Sequence, residues 1–412
     1  MATRLDPLRV AVLPPAPAAY REPLFEALAA RPDIELSVIY QSRAPAGWEG
    51  APGFFPTAHR YPAVHLRARQ RARPGRSPIV VPSGVEAALR TANPDVVIAV
   101  EYGPTTLRAL AWSRLHRRGF VIFSDCTPEI DRLLSPGQLT LHRLLARHAD
   151  HMIAVSGAGR ARLEAFGVAP ERIVLAPQQG DLEPIRAVAA RASDRRGAGG
   201  SPAARRGEGF RPPGPIGLPT GSVGPGVPGP FVVASAGRLV PDKNFAALIE
   251  AAARADPTRE RLALRIAGTG FEEPELRALA AERGVPVEFL GAVPPAAMGD
   301  LYARADAFAL VSTFEPFGVV VREAVAAGLP IVCSRRAGAA GDIAVEGRNA
   351  LLVDPEDVGQ IAAALGRLAR DAGLRAALAA GSRELDAENA GADIEAFAAA
   401  ARAAAARRGR QR

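Results

Sequence analysis

Short, almost wholly apolar runs recur along this chain, and amphipathic stretches separate them. Val10–Leu13, Ile34–Tyr40, Val96–Val100, Phe120–Phe123 and His151–Val155 mark the first half. Phe231–Ala234, Leu262–Ala267, Val287–Leu290, Asp306–Val311 and Leu329–Cys333 mark the second. Runs this short and this apolar suit strands buried on both faces, and the intervening helical spacing supplies the covering layers. The pattern predicts α/β architecture with two doubly wound, Rossmann-like parallel sheets. Between the halves, Arg195–Pro230 holds 19 Gly or Pro in 36 residues, too little apolar content to bury a core. The expected organisation is therefore a first domain over 1–190, a disordered linker over 191–230, a second domain over 231–372 and a helical Ala-rich tail over 373–412. A chain of 412 residues accommodates two such cores. Two domains of this kind are expected to face each other across a cleft lined by the carboxyl ends of their strands.

No apolar run reaches the length of a membrane span, and the first residues lack a signal-peptide pattern. Cys126 and Cys333 are the only cysteines, which argues against a disulfide framework or a cysteine zinc site and for a reducing, cytoplasmic setting. The six histidines show no matching carboxylate set for a metal. The net charge of +8 is uneven: residues 1–180 carry 22 Arg against 15 Asp plus Glu, and 67–76 alone carries five Arg. Such a run reads either as a surface for anionic lipid headgroups or a phosphorylated acceptor, or as a solvated loop. With 5% aromatics and no recognisable binding motif, a nucleic-acid partner is not expected.

Three constellations in the second half stand at strand ends. Gly237-Arg238-Leu239-Val240-Pro241-Asp242-Lys243-Asn244 follows a strand and leads into a helix. Two cations near a helix start can clamp a diphosphate, Arg through two oxygens and Lys as a point charge. Lys243 is the only lysine beside 50 arginines, which points to a place that requires a compact ammonium. Gly268-Thr269-Gly270 also follows a strand, and is either a tight turn or a close approach for a nucleotide. Glu315-Pro316-Phe317-Gly318-Val319 opens a helix that carries Glu323. Free amides there suit an anion and Glu315 suits sugar hydroxyls; the plainer alternative is a capped helix with one exposed Glu. In the first half, Tyr20, Arg21, Glu101, Tyr102 and Asp125 all fall at carboxyl ends of strands, where open sheets bind ligands, although each alone reads as a cap or turn.

The ordered set Gly-Arg-x4-Lys-Asn, Gly-Thr-Gly, Phe289-Leu290-Gly291, Asp306-Ala307-Phe308 and Glu315-x7-Glu323 resembles the family-4 glycosyltransferases. Glu323-Ala324-x2-Ala327-Gly328-x-Pro330 and Glu346-Gly347-x2-Ala350 extend the resemblance, dense over about 232–370 and looser over 1–180. It implies the GT-B fold and transfer of a sugar from a nucleotide diphosphate donor with retained anomeric configuration. By the same resemblance, Arg238 and Lys243 hold the diphosphate in place of a metal, with no cofactor. Glu315 touches the sugar, flanked by Phe317, Gly318 and Val319; Glu323 accepts from the ribose; Gly237, Gly268 and Gly270 line the nucleotide pocket. The acceptor is a glycan or lipid-linked precursor, met through Tyr20, Arg21, Glu101 and Asp125. A tail crossing back to the first domain is a further expectation. Two departures concern the acceptor side: Pro14-Pro15-Ala16-Pro17 stands where many members have Gly-Gly, and Ser124-Asp125 where many have His-Asp. The latter leaves open a non-catalytic nucleotide-sugar binder; a sugar-nucleotide epimerase would need cleft histidines that the pattern does not supply.

Overall fold

The computed structural model describes residues 6–44, 55–73, 76–197, 229–258 and 261–410. They form two units, 1–180 with 391–412, and 181–390. The first contains β1 (Leu8–Leu13), α1 (Glu22–Ala29), β2 (Ile34–Tyr40), β3 (Ala63–His65), β4 (Ala68–Arg73), β5 (Arg76–Pro82), α2 (Val85–Ala92) and β6 (Val96–Val100). α3 (Pro104–Leu115), β7 (Gly119–Ser124), α4 (Pro136–His148), β8 (His151–Ala154), α5 (Gly157–Ala165) and β9 (Ile173–Leu175) follow. The second contains α6 (Glu183–Gly197), β10 (Phe231–Ala236), α7 (Phe245–Ala255), β11 (Leu262–Ala267), α8 (Glu273–Arg283), β12 (Val287–Gly291) and α9 (Met298–Ala303). Then come β13 (Ala307–Leu310), α10 (Val319–Ala326), β14 (Ile331–Ser334), β15 (Ala350–Val353), α11 (Val358–Arg370) and α12 (Ala372–Glu388), while α13 (Ala392–Gly409) returns to the first unit.

Both large sheets are parallel and doubly wound. The order in the first unit is β3-β2-β1-β6-β7-β8-β9, which reverses between β1 and β6. In the second it is β12-β11-β10-β13-β14-β15, which reverses between β10 and β13. Such reversal points part the flanking loops at the carboxyl ends and leave room for a ligand. The strands obey their composition: every residue of β6, β7, β10, β13 and β14 is buried. Helix starts are set locally. Ser135 and Gln138 form a reciprocal capping box on α4, and Asp357 and Asp371 cap α11 and α12 through the amides of Gln360 and Leu374.

Several boundaries differ from the sequence reading. Residues 191–197 finish α6, so helix extends past the expected start of the linker; 198–228 lie outside the described residues. The basic stretch expected as a loop is instead the antiparallel pair β4–β5, with Arg69 opposite Val81. Arg67, Arg69, Arg71 and Arg73 alternate along it, a strand period that a charge count does not reveal. The Ala-rich tail is two helices, broken at Asn389–Gly391, where Gly391 takes a positive φ of 70°. α12 belongs to the second unit, with Leu378 in its core. α13 lies on the sheet of the first, with Phe397 against Phe123 at 4.9 Å. Alanine is what allows this. Ala396, Ala400, Ala401 and Ala404 are buried, and a Cβ on Gly119 would stand 3.1 Å from the Ala404 carbonyl carbon. Arg408, which the sequence reading offered to an anionic membrane, pairs with buried Asp150 at 2.8 Å.

Candidate functional site

In the second unit, the chain leaves β10 through Gly237, turns at Pro241–Lys243 and enters α7. Asn244 makes that entry with φ 59°, a left-handed conformation that Asn tolerates better than most residues. Its amide donates to the carbonyls of Val311 at 3.1 Å and Pro355 at 2.7 Å, tying the turn to two neighbouring segments. Thr313 N–H donates to Asp242 O at 2.9 Å. The loops after β10 and β13 are thereby fastened together at the reversal point.

Lys243 and Glu315 meet there. The ammonium donates to Glu315 Oε2, and both side chains are nearly buried. The Lys243 stem packs on Gly237, so a side chain at 237 would crowd it. Arg238 is exposed beside this pair. The loop 315–318 is held from below: Gly338 N–H donates to Glu315 O at 3.0 Å and Ala339 N–H to Phe317 O at 2.8 Å. Phe317 is buried, and Gly318, with φ 97°, leads to Val319 at the first turn of α10. The N–H groups of that turn have no helical acceptor and carry partial positive charge. An ammonium, a carboxylate and a helix start in one place can hold a ligand that combines an anionic group with hydroxyls.

Gly268 and Gly270 serve this arrangement differently from the direct ligand contact that was one of their two readings. A Cβ on Gly268 would stand 1.8 Å from Gly237 O, and one on Gly270 2.1 Å from Leu239 O. Their smallness admits the backbone of the Arg238 loop, which Gly237 N–H and Leu239 N–H then bond to Ala267 O and Thr269 O, both at 2.9 Å. Glu323 lies one turn into α10 and accepts from Tyr302 Oη at 2.6 Å. Burial pushes its carboxyl up to about 7, against the opposing pull of the Tyr302 bond.

Sequence reasoning missed Tyr302 and Gly338. Tyr302 sits in a short helix of ordinary apolar pattern. Gly338 must lack a side chain because Pro316 O would lie 1.9 Å from its Cβ, a constraint set by a segment more than twenty residues away.

The residues picked out in the first unit form a second cluster. Glu101 adopts φ 65°, uncommon for a residue with a side chain. Its carboxylate accepts from Asp125 N–H at 3.0 Å, Ser124 Oγ at 3.3 Å and Cys126 Sγ at 3.4 Å. Burial, and then the charge of Asp125, raise its pKa above the usual carboxylate range. Ser124 also accepts from Cys126 N–H at 3.1 Å, so it is committed to the turn. Among the described residues, Glu101, Asp125 and Cys126 are the one group of three whose ligand atoms lie within 4.8 Å. Glu101 already receives three donors, and no metal is derived from the group. Tyr20 and Arg21 lie on the loop after β1, the Arg21 guanidinium between the Tyr20 and Phe123 rings at 5.3 and 5.4 Å. His59 and His65, unremarkable in sequence, join Glu22, Tyr40 and Tyr61 in a buried network. His59 Nδ1 meets Glu22 at 2.8 Å, and its Nε2 meets His65 Nε2 at 3.1 Å.

Comparison with known proteins matches residues 16–178 to the glycosyl transferase 4-like domain and 225–385 to glycosyl transferases group 1. The chain is 33% identical over 233 residues to the D-inositol 3-phosphate glycosyltransferase of Nocardia farcinica, covering 54% of this chain and 46% of that protein. It is 39% identical over 156 residues to the lipopolysaccharide core biosynthesis glycosyltransferase LpsD of Rhizobium meliloti, covering 37% and 43%. The matches thus span less than half the length of these curated relatives. Among solved structures, Anabaena Alr3699/HepE in complex with UDP superposes with a TM-score of 0.68 at 20% identity, covering 94% of this chain and 98% of that one. The sucrose-phosphate synthase of Thermosynechococcus elongatus does so with 0.67 at 18%, covering 96% of each.

Proposed function

Since this chain belongs to the family-4 glycosyltransferases of GT-B fold, we propose that it moves a sugar from a nucleotide diphosphate donor to an acceptor hydroxyl, with retention at the anomeric carbon. The observation that carries the reading is the Lys243–Glu315 pair at the reversal point of the second sheet, beside the start of α10. The only lysine of the chain is spent there.

In this reading Arg238 and Lys243 take the diphosphate and stabilise its charge as the anomeric C–O bond breaks, which makes a metal unnecessary. The amides after Phe317 and Gly318, at Gly318 and Val319, face the donor. Glu315 accepts from sugar hydroxyls and Glu323 from the ribose. Gly237, Gly268 and Gly270 keep the pocket floor thin. The acceptor oxygen attacks from the side the diphosphate leaves, and its proton passes to the departing phosphate oxygen. No carboxylate nucleophile is then needed. The Lys243–Glu315 bond holds both groups before the donor arrives, so little ordering entropy remains to be lost on binding.

The UDP held by Anabaena HepE suggests a uridine donor, and the named relatives suggest a hexosyl-type transfer in glycan, glycolipid or inositol-phosphate chemistry. Action at the inner face of the cell membrane is part of the proposal. No helix among the described residues is long and apolar enough to cross a membrane, so contact would be through charge. The arginine excess of residues 1–180 supports such contact, and failure to sediment with anionic vesicles would remove it.

The decisive experiment is thermal denaturation with a panel of nucleotide sugars, comparing wild type with Lys243→Ala. A nucleotide at 100 times its dissociation constant stabilises by about 2.7 kcal/mol. The expected result is one nucleotide class that stabilises the wild type and is lost in the variant. Absence of any nucleotide effect would overturn the transferase reading.

A further inference from the structure

The first unit encloses a small cavity walled by Tyr20, Arg21, Phe123, Gln178, Asp393 and Phe397. Its construction draws on three separate stretches: the loop after β1, the segment after β9 and the first turn of α13. Two donors in its wall have no protein partner, Arg21 Nε and Gln178 Nε2. Both residues are 8% exposed. A buried N–H left unpaired is costly, roughly 1–3 kcal/mol, and two of them around one cavity point to an oxygen that belongs there. Arg21 is not free to turn elsewhere, since its guanidinium is held between the Tyr20 and Phe123 rings.

We propose that this cavity is an acceptor subsite that takes an oxygen of a neutral, polyhydroxylated ligand, a glycosyl unit, and not of a phosphate or carboxylate. The proposal rests on the transferase reading above and names the acceptor class for it. Charge decides against an anion. Asp393 lines the same cavity, and Asp125 and Glu101 are near enough to act on the charge of Arg21. A phosphate would meet Arg21 together with these carboxylates, whereas a hydroxyl accepts from Arg21 and Gln178 and donates to Asp393. Size agrees: about 10 Å³ is room for one oxygen the size of a water. The sugar ring itself would lie outside, on Tyr20, which is 36% exposed and offers an aromatic face.

The test uses the full chain with methyl α-D-glucopyranoside, methyl α-D-mannopyranoside and methyl α-D-galactopyranoside as probes. Binding is read by saturation-transfer NMR and calorimetry, with inorganic phosphate as competitor. At least one methyl hexoside should bind in the millimolar range. Gln178→Leu should weaken it at least tenfold, and Arg21→Met likewise. Nucleotide stabilisation, which reads the other unit, should stay unchanged in Gln178→Leu and so certify its fold. Competition by phosphate, undiminished binding in both variants, or no binding of any hexoside would overturn the proposal; in the last case the cavity holds only water. If nucleotides bind and hexosides do not, the subsite falls while the transferase reading stands. If neither binds, both fall.

Discussion

Alanine at position 268 would place its methyl carbon 1.8 Å from the carbonyl oxygen of Gly237 and 2.8 Å from the carbonyl carbon. Carbon atoms rest about 3.5–4.0 Å from non-bonded neighbours, so one of the two backbones must retreat by more than an ångström. Gly268 also holds φ 141°, which a side chain resists. The retreat stretches Gly237 N–H to Ala267 O and Leu239 N–H to Thr269 O, both 2.9 Å. Overpacking costs about 1–3 kcal/mol and each backbone bond about 1 kcal/mol, so Gly268→Ala should lose about 3–5 kcal/mol. For a unit of this size that lowers Tm by about 6–20 °C. The control is Gly347→Ala. Its φ is 73°, and no atom lies within 4 Å of the added methyl, so it bears only the left-handed strain of about 1–2 kcal/mol. Calorimetry and nucleotide-induced melting shifts on both variants provide the assay. Gly268→Ala should melt well below Gly347→Ala and lose the nucleotide shift, because the Arg238 loop and the Lys243 stem packed on Gly237 move with it. Equal melting temperatures, or a wild-type nucleotide shift in Gly268→Ala, would refute the claim that this glycine exists for backbone approach.

Lys243→Met should destabilise by about 3–5 kcal/mol, since it strands a nearly buried carboxylate at Glu315. The double variant with Glu315→Leu should recover much of that in denaturant titration without recovering nucleotide binding. Glu323 has a folded pKa near 7, above its unfolded value, so its folded form retains a proton that the unfolded form gives up. Its contribution therefore falls as pH rises from about 4.5 to about 7 and is level beyond; Tm measured across this window should show that decline, and Glu323→Gln should flatten it. Arg322 is fully buried on α10 and pairs with Asp386 of α12 at 2.8 Å, where Arg186 of α6 also binds. Asp386→Asn should cost about 3–5 kcal/mol in chemical denaturation, and a loss under 1 kcal/mol would show that the cluster is dispensable.

The alternation of buried strands and helices was legible because it is local. Val96–Val100 and Phe231–Ala236 cannot face water, and the helices between them have one apolar side each. Lys243 and Glu315 stood out by composition and by position at strand ends, without any contact being visible. The pairing of Lys243 with Glu315, 72 residues on, depends on β13 lying next to β10, which sheet order decides. Tyr302, Gly338 and the two stranded donors at Arg21 and Gln178 had no local signature, because each is defined by a neighbour distant in sequence. The tail shows the division most clearly. Its alanines and arginines predict helix wherever they occur. Yet α12 joins one core and α13 another, because only the Gly119 stretch of β7 lets an alanine face come close. Helix and strand follow from spacing within a dozen residues, whereas burial, charge pairing and unpaired donors arise only once remote segments share a volume.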